Sequence, residues 1–257
     1  GSESSGGSME ARRKAMSDSS TTVRKRAVAA LADRGGKDAL GALQTGLSDA
    51  DKDVRVAAAQ AIGKVASVLI ERGDAEAPKA AVEKVSKLLQ SGDERERMAA
   101  SGALLNMGDR NQVTAMRSGA QSSDASVRRQ AIEASRADEP LLTKALEDSD
   151  AKVRFAAARK LASSGNKLAI PVLREVASSS DLDAIAAYGL LTKLGEEAEP
   201  PPQSVMLGTS VNERHALVGT IAELPPKAAK KLLPSLARDP AAVVRRRAAE
   251  ATHSLSQ

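Results

Sequence analysis

Cysteine is absent from the 257 residues of this chain, and aromatic side chains number only two, Phe155 and Tyr188. The lack of cysteine excludes disulfide bonds, thiol catalysis and metal sites built from cysteine. We expect the two aromatic side chains to fill the core rather than stack on a ligand. Their scarcity also argues against proteins that stack or extrude nucleic-acid bases.

Long apolar runs and targeting segments are also missing. No apolar stretch approaches the roughly 20 residues that span a bilayer, and the N-terminus lacks the basic-then-apolar order of a signal peptide. We therefore expect a cytoplasmic protein with no membrane insertion. Residues 1–8 are expected to be an artificial linker or a disordered leader, and residues 9–257 a single folded array.

Motifs that carry chemistry are lacking as well. The sequence has no phosphate-binding glycine loop with lysine, no dinucleotide fingerprint and no nucleophile elbow. Its two histidines, His215 and His253, lie 38 residues apart and have no cysteine nearby, so no zinc site is indicated. These absences predict a protein that is not an enzyme and that has no metal and no cofactor.

The chain does contain a recurring phrase: an apolar residue, an arginine and, three places after the arginine, an alanine. The clearest copies are Val23, Arg24, Ala27; Val54, Arg55, Ala58; Val127, Arg128, Ala131; Val153, Arg154, Ala157; and Val244, Arg245, Ala248. With the weaker copies at Arg97, Ala184 and Arg214, the steps are 31, 42, 31, 26, 30, 30 and 31 residues. We call these eight positions the arginine column, and its period predicts eight stacked repeats.

Each repeat is predicted to be a pair of antiparallel helices. Residues one before, three after and seven after the column position lie on one face of a helix, so Val54, Ala58 and Ile62 form one buried stripe. A polar turn such as 48–52 precedes this second helix, and an amphipathic segment such as 38–47 precedes the turn. The predicted fold class is therefore all-α, an α-solenoid of about eight stacked helix pairs.

These columns resemble the HEAT repeat family in its short bacterial form, and the resemblance covers roughly residues 10–257. It implies a superhelix in which the arginine of the second helix reaches an aspartate of a turn, often in a neighbouring repeat, to form a ladder. The implied ladder residues are Arg24, Arg55, Arg128, Arg154 and Arg245 with Asp18, Asp49, Asp148 and Asp239. The ladder is expected to be partial, because Ser91, Ser122, Ser178 and Gly208 occupy the aspartate position in other repeats.

Two segments depart from the period. The 42-residue step predicts an irregular repeat near 64–92, where residues 64–72 prolong a helix before a break at 73–78. Three consecutive prolines, residues 200–202, predict a second irregular repeat near 196–210, because proline lacks an amide donor and disfavours helix in the residue before it. The first helix of that repeat is expected to be short or displaced.

Charge carries the remaining functional signal, with a formal net charge of +5 and a sequence pI near 9.5. The resemblance implies that second helices line the concave face of the array, where basic side chains suit an acidic segment of a partner protein. The candidate partner-binding residues are Lys25, Arg26, Arg129, Arg159, Lys160, Arg246 and Arg247. The preferred hypothesis is a non-catalytic scaffold or adaptor that binds another protein.

Two other functions stay open at this point. The basic clusters would also suit a protein that tracks the phosphates of duplex nucleic acid, whose binding falls steeply with salt. The short repeats also resemble those of phycobilin lyases, although nothing in the sequence supplies an evident chromophore pocket.

The alanine at the third position after the arginine column gives a direct test of the repeat pattern. We expect Ala157→Leu to overpack the contact between helices and to lower the free energy of unfolding by about 1–3 kcal/mol. Urea unfolding followed by circular dichroism measures this change. Unchanged unfolding would mean that the alanine does not lie in the core.

Overall fold

The computed structural model describes residues 3–91, 93–135 and 139–255, and these residues form sixteen α-helices and no strand. The helices are α1 (Glu3–Ala15), α2 (Thr21–Arg34), α3 (Gly36–Leu43), α4 (Lys52–Glu71), α5 (Lys79–Lys87), α6 (Glu94–Asn106), α7 (Val113–Gly119), α8 (Ala125–Ala134), α9 (Glu139–Ala145), α10 (Ala151–Ser163), α11 (Ile170–Ala177), α12 (Asp183–Lys193), α13 (Gln203–Leu207), α14 (Val211–Ala222), α15 (Pro226–Leu236) and α16 (Ala242–Ser254). The predicted leader lies partly outside the described residues, and from Glu3 onward its backbone belongs to α1.

The sixteen helices form eight consecutive pairs. All eight positions of the arginine column fall on even-numbered helices, each of which is the second helix of its pair. Four of these second helices are preceded by an N-cap aspartate whose side chain accepts hydrogen bonds from first-turn amides: Asp51, Asp93, Asp124 and Asp150. Such caps satisfy amides that have no partner inside the helix. The prediction of an all-α solenoid built from helix pairs is confirmed.

The pairs are distributed over two compact units, residues 1–136 and 137–257. In the first unit, the second helices pack in series, α2 against α4, α4 against α6 and α6 against α8. In the second unit, α10 packs against α12 and α14 packs against α16. The boundary between the units falls within the shortest step of the arginine column, between Arg128 and Arg154.

The core of both units follows the predicted columns. The alanines at the third position after the arginine column are buried throughout: Ala27, Ala58, Ala100, Ala131, Ala157, Ala187 and Ala248. Phe155 and Tyr188 are buried too. Three repeats have an acid at the position before the arginine column, Glu96, Asp183 and Glu213, and of these only Glu96 is buried, with 3% exposure. A buried carboxylate requires a charged or hydrogen-bonding partner, and the partners of Glu96 belong to the arginine ladder.

The two irregular segments change the lengths of individual helices. Helix α4 is 20 residues long and runs to Glu71, and the chain then leaves it through Gly73, whose φ of 86° suits glycine. The prolines at 200–202 precede α13, which has only five residues. The seventh repeat therefore has a very short first helix.

Close packing of second helices depends on glycine at two contacts in the first unit. A Cβ atom added at Gly63 of α4 would lie 2.7 Å from the Cα of Ala103 in α6. A Cβ atom at Gly102 of α6 would lie 2.6 Å from the Cβ of Ala134 in α8. At Gly63 the obstacle is backbone, so the helices themselves would have to separate.

We expect Gly63→Ala to destabilise the chain by about 1–3 kcal/mol, because the extra methyl group overpacks the α4–α6 contact. The matched control is Gly41→Ala in α3, where an added Cβ meets no atom within 4 Å. Alanine is the better helix former, so this control should stabilise by up to about 1 kcal/mol. Urea unfolding of both variants checks the sign of each change, and a stabilised Gly63→Ala would contradict the close approach.

Candidate interaction surface

The arginine column acts first on the main chain of its own repeat. Arg55 Nη1 donates to the carbonyl oxygens of Asp49 at 2.7 Å and Ala50 at 3.0 Å, which lie six and five residues earlier in the turn. The equivalent contact to the carbonyl six residues earlier is made by Arg24, Arg97, Arg128, Arg154 and Arg245. Arg214 donates to the carbonyl of Thr209, five residues earlier. Each of these arginines thus fixes the turn that joins the two helices of its repeat.

Several of these guanidinium groups also reach acids of the following repeat. Arg24 donates from Nε and Nη2 to both carboxylate oxygens of Asp49, at 2.7 and 2.9 Å. Arg214 makes the same two-point contact with Asp239, at 2.6 and 3.1 Å. This bidentate geometry is the strong form of an arginine–carboxylate contact.

Glutamate takes the place of aspartate at two other steps. Arg55 donates from Nε to Glu96, which also accepts from the Ser91 hydroxyl, and Arg154 Nη2 donates to Glu175 at 2.8 Å. Serine stands at the predicted acid position in both of these following repeats, as Ser91 and Ser178. A longer acid elsewhere in the repeat therefore supplies the charge.

The predicted ladder aspartates have a second role in their own turns. Asp18, Asp49, Asp148 and Asp239 each accept, through Oδ1, a hydrogen bond from the amide two residues later at 2.8 Å. The serines Ser91 and Ser122 accept from the equivalent amides through Oγ. This local bond to the backbone shapes the turn whether or not an arginine reaches the carboxylate.

Pairing with arginine shifts the titration of two ladder acids. The hydrogen bonds from Arg24 lower the pKa of Asp49 below its ordinary value, and those from Arg214 lower the pKa of Asp239, in both cases against the effect of burial. The pKa of each arginine is raised by the same contact. Asp239 is only 1% exposed, so its charge depends on this partner.

In the first unit, acids alternate with basic residues, of which Lys25 is one of the predicted binding residues. Lys25 Nζ lies 3.9 Å from the Asp53 carboxylate of the next repeat, and Arg95 Nη1 of the repeat after that lies 3.0 Å from the same carboxylate. The residues of α4 and α6 that correspond to Lys25 are Val56 and Met98, and both are buried. The surface between α2 and α6 therefore carries mixed charge rather than a continuous basic stripe.

The other predicted binding residues all lie on second helices. Arg129 Nε is 3.8 Å from Glu133, the Arg159 guanidinium is 5.8 Å from the centre of the Phe155 ring, and Arg247 Nη1 is 2.9 Å from His215 Nδ1. Arg26, Arg159 and Arg246 are exposed, and Lys160 is half-buried.

Sequence reasoning missed the ion pairs that link successive second helices at their first turns. Lys52 Nζ lies 3.0 Å from Asp93 and, chiefly through this hydrogen bond, lowers the pKa of that carboxyl. In the second unit, Lys152 Nζ lies 3.6 Å from Asp183. Opposite charges at neighbouring columns of successive repeats are the sequence signal that would have revealed them.

Across the described ranges, no group of three or more histidine and acidic side chains could hold a metal ion. None of the helices in this part of the chain is both long and apolar enough to cross a membrane.

Comparison with protein families matches a model of HEAT repeats to residues 9–79 and 134–192, which together make up half of the chain. No curated protein matches the sequence. A chain of the CpcE–CpcF complex of phycocyanin lyase from Nostoc is similar in structure, with 20% identity, a TM-score of 0.45 and coverage of 96% of this chain and 94% of the other. Human deoxyhypusine hydroxylase is 19% identical, with a TM-score of 0.41 and coverage of 97% of this chain and 96% of the other. A designed armadillo repeat protein is 20% identical, with a TM-score of 0.32 and coverage of 96% of this chain and 99% of the other.

We expect Asp239→Asn to lower the melting temperature by several degrees, because it leaves the buried Arg214 guanidinium without its counter-charge. Asparagine keeps the oxygen that accepts from the Ala241 amide, so the variant isolates the ion pair. The control is Glu83→Gln, whose partner Lys87 is 3.7 Å away on an exposed surface. Exposed pairs contribute little, so the control should melt as the unaltered protein does.

The stability difference between the unaltered chain and Asp239→Asn should also depend on pH. The pKa of Asp239 is lower in the folded state than in the unfolded state, so its contribution is complete above the unfolded value and is lost as pH falls through the folded value. The difference should therefore be constant near neutrality and shrink below about pH 4. Melting curves at several pH values measure it, and a difference that grows in acid would contradict the pairing.

Proposed function

This chain belongs to the HEAT repeat family, and from that premise we propose that it is a non-catalytic scaffold that binds a partner protein on the exposed faces of its second helices. Stacked helix pairs present a large surface for their length, and binding requires no catalytic group. The arginines of the arginine column already donate to carbonyl oxygens of the turns, and several of them also bind ladder acids. The exposed side chains of the second helices are the ones free to vary with the partner.

The observation that favours a protein over a nucleic acid is the alternation of charge. Lys25, Asp53 and Arg95 follow one another across three repeats, and Lys52 with Asp93 repeats the alternation. A protein that tracks duplex phosphates needs several lysine or arginine charges that are not already neutralised. A mixed surface instead suits a partner protein with complementary charges, which give specificity more than raw affinity.

The proposal is tested by affinity capture from cell lysate, with and without nuclease, at about 0.15 M and 0.4 M salt. We expect a discrete protein that is retained after nuclease treatment and at the higher salt. Recovery of nucleic acid alone, lost at the higher salt, would overturn the proposal in favour of duplex binding.

A pair of charge-matched variants connects the capture to the second helices. The test variant replaces the exposed second-helix arginines, Arg26→Ala, Arg159→Ala and Arg246→Ala. The control replaces exposed lysines of the first helix α5, Lys79→Ala, Lys84→Ala and Lys87→Ala. Both remove three positive charges, so we expect partner recovery to fall only in the test variant. Equal recovery from both would place the interface elsewhere.

A further inference from the structure

One repeat lacks the arginine that the other seven share. The sixth repeat has Ala184 in the arginine column, so the carbonyls of Ser178 and Ser179, six and five residues earlier, have no column arginine to donate to them. The acid side of the ladder is missing at the same step. The seventh repeat has Gly208 where the second and eighth repeats have Asp49 and Asp239.

An open cleft of about 450 Å³ lies at this step of the second unit. It is lined by the turn and first residues of α12, by α13 and the turn after it, and by one lysine of α10: Ser180, Asp181, Leu182, Asp183, Ser204, Val205, Gly208, Thr209 and Lys152. Its walls include the turns of the sixth and seventh repeats. These two turns correspond in position to the turns that an arginine joins at the Arg24–Asp49 and Arg214–Asp239 steps. The cleft thus lies where both ladder side chains are absent and where α13 is only five residues long.

From this arrangement we infer that the cleft receives the side chain of an arginine from the partner protein. Seven repeats of this chain show that a turn of this kind offers main-chain oxygens to a guanidinium group. In the sixth repeat no column arginine occupies this place, and the cleft begins at Ser180, the residue that directly follows Ser178 and Ser179 in the turn. The incoming arginine takes the place of the arginine that the sixth repeat lacks.

The charges and surfaces around the cleft fit that occupant. Asp181 is exposed, whereas Asp183 already has Lys152 3.6 Å away, so one acid remains for an incoming cation. Leu182, which is 47% exposed, offers apolar surface to the methylene stem of arginine. A planar guanidinium group can donate to two carbonyls and a carboxylate at once, and an ammonium group lacks that fork.

The inference rests on the proposed function, and its test uses peptides rather than a captured partner. The probes are three acetylated, amidated tripeptides, Ala-Arg-Ala, Ala-Lys-Ala and Ala-citrulline-Ala, titrated into the full chain labelled with ¹⁵N. Citrulline keeps the shape of arginine without its charge. We expect saturable shifts of the Ser180, Leu182, Gly208 and Thr209 amides with the arginine peptide, and binding about tenfold weaker with the other two.

Two variants locate the binding. Ala184→Arg restores the resident arginine and should weaken binding of the arginine peptide by about tenfold or more. Its control is Ala216→Arg, which adds the same charge at an exposed position of α14 and should bind like the unaltered chain. Gly208 is left unaltered, because a Cβ there would come 2.8 Å from the Ser204 carbonyl. Should Ala184→Arg fail to fold, exposed Asp181→Asn tests the same site and should weaken binding by about tenfold.

Equal binding of the arginine and citrulline peptides, or unchanged binding to both cleft variants, would overturn the inference. Affinity capture with Ala184→Arg, compared with capture by the unaltered chain, separates the two proposals. If the unaltered chain retains a partner protein but shows no preference for the arginine peptide, the cleft proposal is rejected and the scaffold proposal is kept. Failure of the unaltered chain to capture any protein rejects the scaffold itself.

Discussion

A guanidinium group that donates to the carbonyl oxygens of the turn before its own helix is the contact that seven of the eight repeats share. Arg55, for example, donates from one nitrogen to two carbonyls of the turn that ends the first helix of the pair. This fixes the entry of the second helix. Its Nε then donates to Glu96 of the following repeat. One side chain therefore sets both the shape of a repeat and its attachment to the next.

Between repeats, the ladder works together with small residues in the core. The alanines that follow the arginine column are buried, and Gly63 allows the backbones of α4 and α6 to approach closely. Where both are present, ion pairs at the ends of the second helices and tight apolar packing along their length give the contact a defined register. Polar and apolar contacts thus have separate positions along one helix.

The periodicity of the sequence predicted the helix pairs well, because a helix that buries one face has apolar residues at regular intervals, as at Val54, Ala58 and Ile62. The family resemblance named Asp49 and Asp239 as ladder residues but did not assign an arginine to either of them, and Arg214, which contacts Asp239, was not among the predicted ladder arginines. Two features could not be read this way. The main acceptors of the arginines are carbonyl oxygens, which every residue has, and Glu96 occupies a position where the pattern requires an apolar side chain. The candidate binding residues stay predictions, since exposure of Arg26 or Arg246 follows from helix geometry and says nothing of what contacts them.

The turns of this array are held through atoms that do not depend on residue type. The residue five places before the arginine column differs from repeat to repeat, as Ser19, Ala50, Ser123, Ser149, Thr209 and Pro240, yet each supplies its carbonyl to an arginine. Substitutions at these positions change the chemistry of the surface while they leave the anchoring oxygen in place. A substitution five places before the arginine column can therefore alter what a turn displays without removing the carbonyl oxygen that joins the two helices.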